Sequence, residues 1–211
     1  MAYLRYLVGR TQHYQKYGYR ITLPDHASFL EPSTRIDWAK AEEAFRSKIY
    51  HTDQYDLAVA VARGAVPRLR RAIEKCRPLR KWGFRIYERY DVILTFYGMG
   101  GSYDYDTGTI RLKVRRDGSS SRSIDEGLIH EMVHLGIEES IVRKYELTAP
   151  EKEAMVDQIC QLWLGDLLPT YRRQRIADVG MVRVVTKGVL LHDPRSVVQQ
   201  FVRGRSELRS T

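Results

Sequence analysis

The pattern of apolar and polar positions between residues 123 and 146 predicts one long helix. Ser123 is a suitable N-cap, and Glu126 completes a capping box with it in an acidic first turn, which the helix dipole favours. Apolar side chains recur at helical spacing over a wide face. These side chains are Ile124, Leu128, Ile129, Met132, Val133, Leu135 and Val142.

The opposite side of this helix carries residues that can bind a metal. At about 100° per residue, four polar side chains share that side: His130, Glu131, His134 and Glu138. Ile137 also lies near it, so we expect the helix to be buried and to line a cleft. Two histidines four positions apart can reach one Zn²⁺. Glu131 lies one step around the helix, where its carboxylate can take a proton from a water on the metal.

A second helix is predicted over residues 148–168. Thr148 and Glu151 form a capping box, and Pro150 is tolerated in the first turn. Pro169 marks the end of the apolar pattern. This helix follows the histidine pair closely enough to contribute to the same site.

A catalytic zinc site needs a third protein ligand and keeps one position open. Glu153 and Asp157 lie four residues apart and therefore on one face of the second helix. Glu153 can bind the metal, and Asp157 can accept a hydrogen bond from the distal nitrogen of a ligating histidine, which fixes its tautomer. Glu153 is favoured because it has an acid four residues on. Three other glutamates compete for the ligand role: Glu138, Glu146 and Glu151.

Weaker patterns predict the remaining elements. Helices are expected over residues 37–50, 53–63 and 193–202, and strands over residues 109–114 and 179–186. Residues 84–97 are expected to form one long strand or two, with Asp91 at the break. Gly64 interrupts the second of these helices, and Pro67 can open a continuation to Cys76. The glycine-rich residues 98–103 predict a flexible loop. Residues 1–35 give no clear element, although their tyrosines argue against a wholly disordered tail.

The residues of the two central helices resemble a known family. His130-Glu131-x-x-His134, followed nineteen positions later by Glu153-x-x-x-Asp157, is similar to the gluzincin metallopeptidases. The resemblance implies that His130, His134 and Glu153 bind zinc. It also implies that Glu131 is the general base and acid and that Asp157 supports a ligand from behind.

The same resemblance implies a fold. An α+β protein is expected, with a zincin-like core, a short and mostly antiparallel sheet, an active-site helix and a following glutamate helix, at the size of the minigluzincins. The strand at residues 109–114 would form the upper rim of the cleft and pair with an extended substrate backbone. The metzincin family matches less well, because its motif needs glycine and a third ligand where this chain has Ile137 and Ser140.

The 211 residues suffice for one domain with a buried core and appended segments. We expect residues 1–35 to form an N-terminal extension and residues 36–168 the catalytic core. Residues 169–211 would form a C-terminal extension that packs on the core, or else lies across the cleft. Cys76 and Cys160 are far apart in sequence, which suggests a reducing cytosol and small buried side chains rather than a disulfide framework.

The formal net charge is +9. Basic residues concentrate in two clusters: Arg68, Arg70, Arg71, Lys75, Arg77, Arg80, Lys81 and Arg85, and then Arg172, Arg173 and Arg175. Such clusters can bind phosphates or acidic proteins, but the interleaved apolar residues favour a solvated helix face. The chain shows neither a membrane span nor a signal-peptide core, so a cytoplasmic location without membrane contact is expected.

Three functions follow from the sequence. The first is a zinc endopeptidase acting on protein or peptide substrates. The second is a nucleic-acid-associated protein, for example a protease of DNA-bound proteins. The third is a zinc-binding interaction protein without turnover. A peptidase also needs a group that stabilises the oxyanion, and the sequence leaves four candidates: Tyr103, Tyr145, Tyr171 and His192.

Overall fold

The computed structural model describes residues 2–16, 21–24, 37–120 and 122–208. It has the predicted α+β fold, with many helices and a small sheet. The α-helices are α1 (Ala2–Lys16), α2 (Trp38–Ala44), α3 (Asp56–Cys76), α4 (Ile124–Ile137), α5 (Ala149–Gln158), α6 (Val179–Val184), α7 (Lys187–His192) and α8 (Arg195–Leu208). The strands are β1 (Asp91–Thr95), β2 (Gly101–Asp104) and β3 (Thr109–Lys113). Turns of 3-10 helix span Thr52–Tyr55 and Arg77–Trp82, and π-helical turns span Phe45–Ile49, Glu138–Arg143 and Ile159–Trp163.

The three strands form one mixed sheet in the order β1-β3-β2. β3 shows the predicted alternation, because Ile110 and Leu112 are buried while Arg111 and Lys113 are partly exposed. This strand lies in the middle of the sheet, so its neighbours occupy both of its edges. The expectation that it pairs with a substrate backbone is therefore wrong, since its hydrogen-bonding groups are used within the sheet.

α3 is one continuous helix, and the predicted interruption at Gly64 is wrong. Both Gly64 and Pro67 lie inside it. Glycine and proline cost about 1 and about 3 kcal/mol in a helix interior, but one face of α3 is buried along its whole length. The buried side chains are Ala58, Ala65, Leu69, Ala72 and Cys76. Burial of this face outweighs the unfavourable local propensity.

Of the one or two strands predicted over residues 84–97, only β1 forms, and it begins at Asp91, where a break was predicted. Phe84 packs against α4 instead, with its ring where a Cβ on Gly136 would lie. The backbone N–H of Arg85 donates to the carbonyl of Gly136 over 2.8 Å. The loop predicted over residues 98–103 is also corrected, since its second half forms β2.

The strand predicted over residues 179–186 is wrong, because this segment contains the helix α6. The carboxylate of Asp178 caps it by accepting from the N–H of Met181 over 2.7 Å. The side-chain amide of Gln158 donates to the carbonyl of Val182 over 2.8 Å. The run of β-branched residues favours a strand, but the cap and the tertiary hydrogen bond decide the outcome.

The chain divides into two compact units. The first contains the described parts of residues 1–64, 92–102 and 111–124, and the second those of residues 65–91, 103–110 and 125–211. The core cluster of the first unit consists of Leu4, Leu7, Phe45 and Tyr97. α1 thus belongs to this core, whereas residues 17–20 and 25–35 of the predicted N-terminal extension lie outside the described residues.

The second unit holds α4, α5 and the C-terminal helices. Trp82 and Phe84 are fully buried and meet edge to face at 5.8 Å between ring centroids. The indole N–H of Trp82 donates to the carbonyl of Leu190 over 3.2 Å. The N–H of Asp178 donates to the carbonyl of Pro150 over 2.9 Å. The segment after Pro169 is therefore tied to the same unit as the two central helices.

Candidate metal centre

α4 carries its polar residues into the interior of the second unit. Every residue from Leu128 to Ile137 is buried, as the apolar pattern predicts. His130, Glu131 and His134 are 4%, 6% and 3% exposed. Buried polar groups need partners, so the function of this helix depends on what meets these three side chains.

The start of α5 is fixed by the predicted capping box of Thr148 and Glu151. The N–H of Thr148 donates to the carboxylate of Glu151 over 2.8 Å. Arg205 of α8 forms an ion pair with the same carboxylate. From this start the helix directs Glu153 and Asp157 inwards, where they are 5% and 0% exposed.

Three side-chain atoms of α4 and α5 converge. Nε2 of His130 lies 3.1 Å from Nε2 of His134, and Oε2 of Glu153 lies 3.5 Å from the first and 3.4 Å from the second. Among the described residues, these three form a group that could hold a metal ion. Donor atoms at about 2.0–2.1 Å from a tetrahedral zinc are about 3.3 Å from one another. The triangle thus has the size of one face of a zinc tetrahedron, which leaves one vertex for a further ligand.

Two of the three competing glutamates have other partners, and the third is exposed. The carboxylate of Glu138 accepts from the hydroxyl of Tyr103 over 2.6 Å and from Nε of Arg143 over 3.2 Å. Glu151 belongs to the capping box, and Glu146 is exposed. Of the four candidates, the structure places Glu153 against the histidines.

Asp157 is connected to His130 through a tyrosine. The hydroxyl of Tyr171 lies 2.6 Å from Nδ1 of His130 and donates to Oδ1 of Asp157 over 2.7 Å. The backbone N–H of Gln174 donates to the other carboxylate oxygen over 2.7 Å. The predicted direct hydrogen bond from histidine to aspartate is therefore replaced, because Tyr171 fills the space between them. When the neutral ring of His130 donates from Nδ1 to Tyr171, its Nε2 carries no proton and faces Glu153, as a metal ligand requires.

Tyr103 covers the other histidine. Its ring stacks on that of His134, with 5.1 Å between centroids and 15° between planes. Its hydroxyl donates to Glu138 and accepts from Nζ of Lys152 at 3.4 Å. Burial and the charge of Glu138 raise the pKa of Tyr103, so its phenol remains a donor. Nδ1 of His134 has no hydrogen-bond partner within the described part of the chain. The ring is oriented instead by stacking on Tyr103 and by the contacts of its Nε2 with His130 and Glu153.

The electrostatics of the triangle keep Glu153 charged. Burial opposes a charge on His134 and lowers its pKa to about 4. Burial also opposes a charge on His130, but contacts with the buried thiol of Cys160 and with Glu153, and the charge of Glu131, raise its pKa to about 10. Burial likewise opposes the carboxylate of Glu153, but the two histidines outweigh it and hold its pKa well below the ordinary value. Near neutral pH these shifts put the proton on His130 in the metal-free protein, and a metal must displace it.

Part of the first basic cluster is engaged within the second unit. Arg68 pairs with Asp125, Lys75 pairs with Asp166, and Arg77 donates to Glu74 over 2.9 Å. Arg85 lies over the rings of Tyr87 and Tyr105, at 4.2 and 4.8 Å from their centroids. In the second cluster, Arg173 donates to Gln161 over 2.6 Å. These contacts reduce the charge that is available for a partner.

Two residues of this centre come from the segment after Pro169. Tyr171 is one of the four oxyanion candidates of the sequence, but the structure places it behind His130. Gln174 is absent from the sequence-based candidates, and its Nε2 lies 3.4 Å from Nε2 of His130. No spacing rule marks Gln174, because tertiary folding rather than helical periodicity brings it to the site.

No protein-family model, curated protein or solved structure matches the chain. Within the described ranges, each helix is too short or too polar to cross a bilayer. Fold and site together define an α+β protein with a candidate metal centre of two histidines and one glutamate.

Proposed function

We propose that this chain is a zinc metallopeptidase that hydrolyses internal peptide bonds of protein or peptide substrates. The observation that supports it most is the triangle of His130, His134 and Glu153, whose three donor atoms lie 3.1–3.5 Å apart. Structural zinc sites are closed by four protein ligands, whereas a catalytic site has three and one open position. A triangle with Glu131 next to His130 on the same buried helix is the arrangement that hydrolysis needs.

Zinc is the metal that suits this donor set. Two imidazole nitrogens and one carboxylate oxygen are typical zinc ligands, whereas magnesium and calcium prefer oxygen alone. A zinc ion held at such a site supplies Lewis acidity, which lowers the pKa of water to about 7 and polarises a carbonyl group.

Glu131 serves as the general base in this proposal. It is buried next to His130 on α4, and its charge contributes to raising the pKa of both His130 and Tyr103. It takes a proton from the attacking water while the water oxygen bonds to the carbonyl carbon of the substrate. The same proton then passes to the amide nitrogen as the carbon–nitrogen bond breaks, and the products are a carboxylic acid and an amine.

The zinc content of matched variants tests the ligand set. Wild type should bind about one zinc per chain, Glu153→Ala should lose it, and Glu138→Ala should retain it. Glu138 is the matched control because it lies on the polar side of the same region but bonds to Tyr103 and Arg143. The opposite result would assign the third ligand to Glu138. Absence of chelator-sensitive cleavage of an unfolded protein by the zinc-loaded wild type would overturn the peptidase proposal.

The two alternative functions make different predictions. A nucleic-acid-associated protein would bind random DNA with an affinity that falls steeply as salt rises. An interaction protein without turnover would bind zinc and cleave nothing.

A further inference from the structure

The side-chain amide of Gln174 contacts one atom of the triangle. Its Nε2 is 3.4 Å from Nε2 of His130, which is close to the distances that separate the three triangle atoms from one another. A substrate carbonyl bound at this centre would therefore lie beside the Gln174 amide.

Asp157 holds the backbone of Gln174 in place. Its backbone N–H donates to Oδ2 of Asp157 over 2.7 Å, and Asp157 is fully buried. The same carboxylate accepts from Tyr171, which contacts His130. One buried carboxylate thus holds the histidine, through Tyr171, and the backbone from which the Gln174 amide extends, and such preorganisation makes a donor more effective in a transition state.

Two of the tyrosines that could stabilise the oxyanion donate their protons elsewhere. The hydroxyl of Tyr171 donates to Asp157, and that of Tyr103 donates to Glu138. Each phenol has a single proton to donate, so neither has one left for a substrate oxygen. An amide has two N–H donors, and His130 does not use both.

Tyr145 and His192 are the other two residues that the sequence offers for stabilising the oxyanion. The ring of Tyr145 lies 5.4 Å from Nζ of Lys144, and His192 is exposed at the end of α7. Of these candidate donors, Gln174 is the one for which the structure gives a contact with a triangle atom, Nε2 of His130.

We propose that Gln174 is a catalytic residue whose Nε2–H donates to the carbonyl oxygen of the substrate as it becomes an oxyanion. This inference rests on the proposed peptidase function. The hydrogen bond strengthens as negative charge develops on that oxygen, so it lowers the barrier more than it tightens substrate binding. A neutral amide oxygen is not a usual zinc ligand, which favours hydrogen bonding over coordination by this side chain.

Gln174→Met keeps the length of the side chain and removes its donors. In the zinc-loaded variant kcat should fall by about 100-fold or more, while KM and zinc content stay near the wild-type values. Affinity for a phosphinic peptide, a tetrahedral mimic of the oxyanion, should fall in parallel with kcat/KM. Gln161→Met is the control, because Gln161 is a partly exposed glutamine that contacts Arg173. It should leave all of these quantities unchanged.

Other outcomes overturn the proposal in distinguishable ways. Wild-type kcat and phosphinic peptide affinity in Gln174→Met would show that the amide takes no part. A faster variant would show that the amide blocks the open position, and loss of zinc would show that it holds the metal. A zinc-loaded wild type that neither cleaves peptides nor binds the phosphinic peptide would contradict the proposed peptidase function itself.

Discussion

The hydroxyl of Tyr171 donates a hydrogen bond to Asp157 over 2.7 Å. Because the same hydroxyl contacts Nδ1 of His130, the orientation of this proposed zinc ligand depends on a residue outside the two central helices. Hydrogen bonds to the distal nitrogen of a ligating histidine typically contribute 10–100-fold to metal affinity.

Tyr171→Phe should weaken zinc binding by about 10-fold, and Asp157→Ala by roughly 10–100-fold, without abolishing it. The phenylalanine keeps the packing but leaves Nδ1 of His130 without its partner. Competition with a chelator of known affinity measures the effect. Tyr145→Phe is the control and should bind zinc like wild type. Unchanged affinity in Tyr171→Phe would show that the tyrosine only fills space.

Glu131→Gln should keep zinc and fold but lose peptide hydrolysis by a factor of about 100 or more. The amide has nearly the shape of the carboxylate but cannot accept the proton of the attacking water. Zinc analysis and circular dichroism should match wild type in the same preparation. Substantial turnover in a zinc-replete variant would contradict the role of Glu131 as base.

The stability of the metal-free protein should peak near pH 6.5. The pKa of His134 is lowered to about 4, so its contribution is present above about 6.5 and lost as the pH falls towards 4. The pKa of His130 is raised to about 10, so its contribution is present below about 6.5 and lost as the pH rises. Guanidinium unfolding in a chelator between pH 4 and about 8 measures both sides.

Bound zinc should abolish the loss of stability that the metal-free protein shows above about pH 6.5. A ligating His130 carries no proton at Nε2, so the folded protein no longer binds more protons than the unfolded chain above pH 6.5. Metal-free His130→Gln should lose the alkaline decline as well. A decline of equal size in the zinc-loaded protein would show that other groups cause it.

Gly136→Ala should destabilise the protein by about 1–3 kcal/mol or more. A Cβ at this position would lie 2.1 Å from the ring of Phe84, which is itself buried. Gly64→Ala is the matched control, since a Cβ there has nothing within 4 Å and Gly64 lies inside α3. It should stabilise by about 0.5–1 kcal/mol. Destabilisation by Gly64→Ala would instead support a break in α3.

A truncation after Pro169 should give a chain that aggregates or unfolds. It removes α6, whose backbone bonds to Gln158, and α8, whose Arg205 pairs with the buried Glu151. Sedimentation and zinc content measure the result. A soluble, faster-cleaving product would show that the segment restrains the site.

The candidate site residues that are placed by helical spacing could be predicted from the sequence. His130 and His134 share a helix face, and Thr148 and Glu151 form the capping box that was expected. Glu153 lies against both histidines. The first two relationships span four residues or fewer within one helix, where backbone geometry alone sets the outcome. The third also requires the two helices to pack together.

The sequence was less informative where tertiary contacts determine the secondary structure or the position of a side chain. The β-branched run at residues 179–186 has the propensity of a strand, but the cap at Asp178 makes it a helix. Tyr171 and Gln174 lie between helices, where no period applies, so their contacts with His130 could not be inferred.

The π-helical turns have a consequence for how such a chain can evolve. α4 continues into one at Glu138–Arg143 and α5 into another at Ile159–Trp163, in each case just after the residues of the candidate centre. A π-helical turn holds one residue more than the α-helical register requires. A lineage can therefore gain or lose a codon there while the His130–His134 and Glu153–Asp157 intervals stay constant. We expect distant relatives to share those two intervals and to differ in length immediately after each.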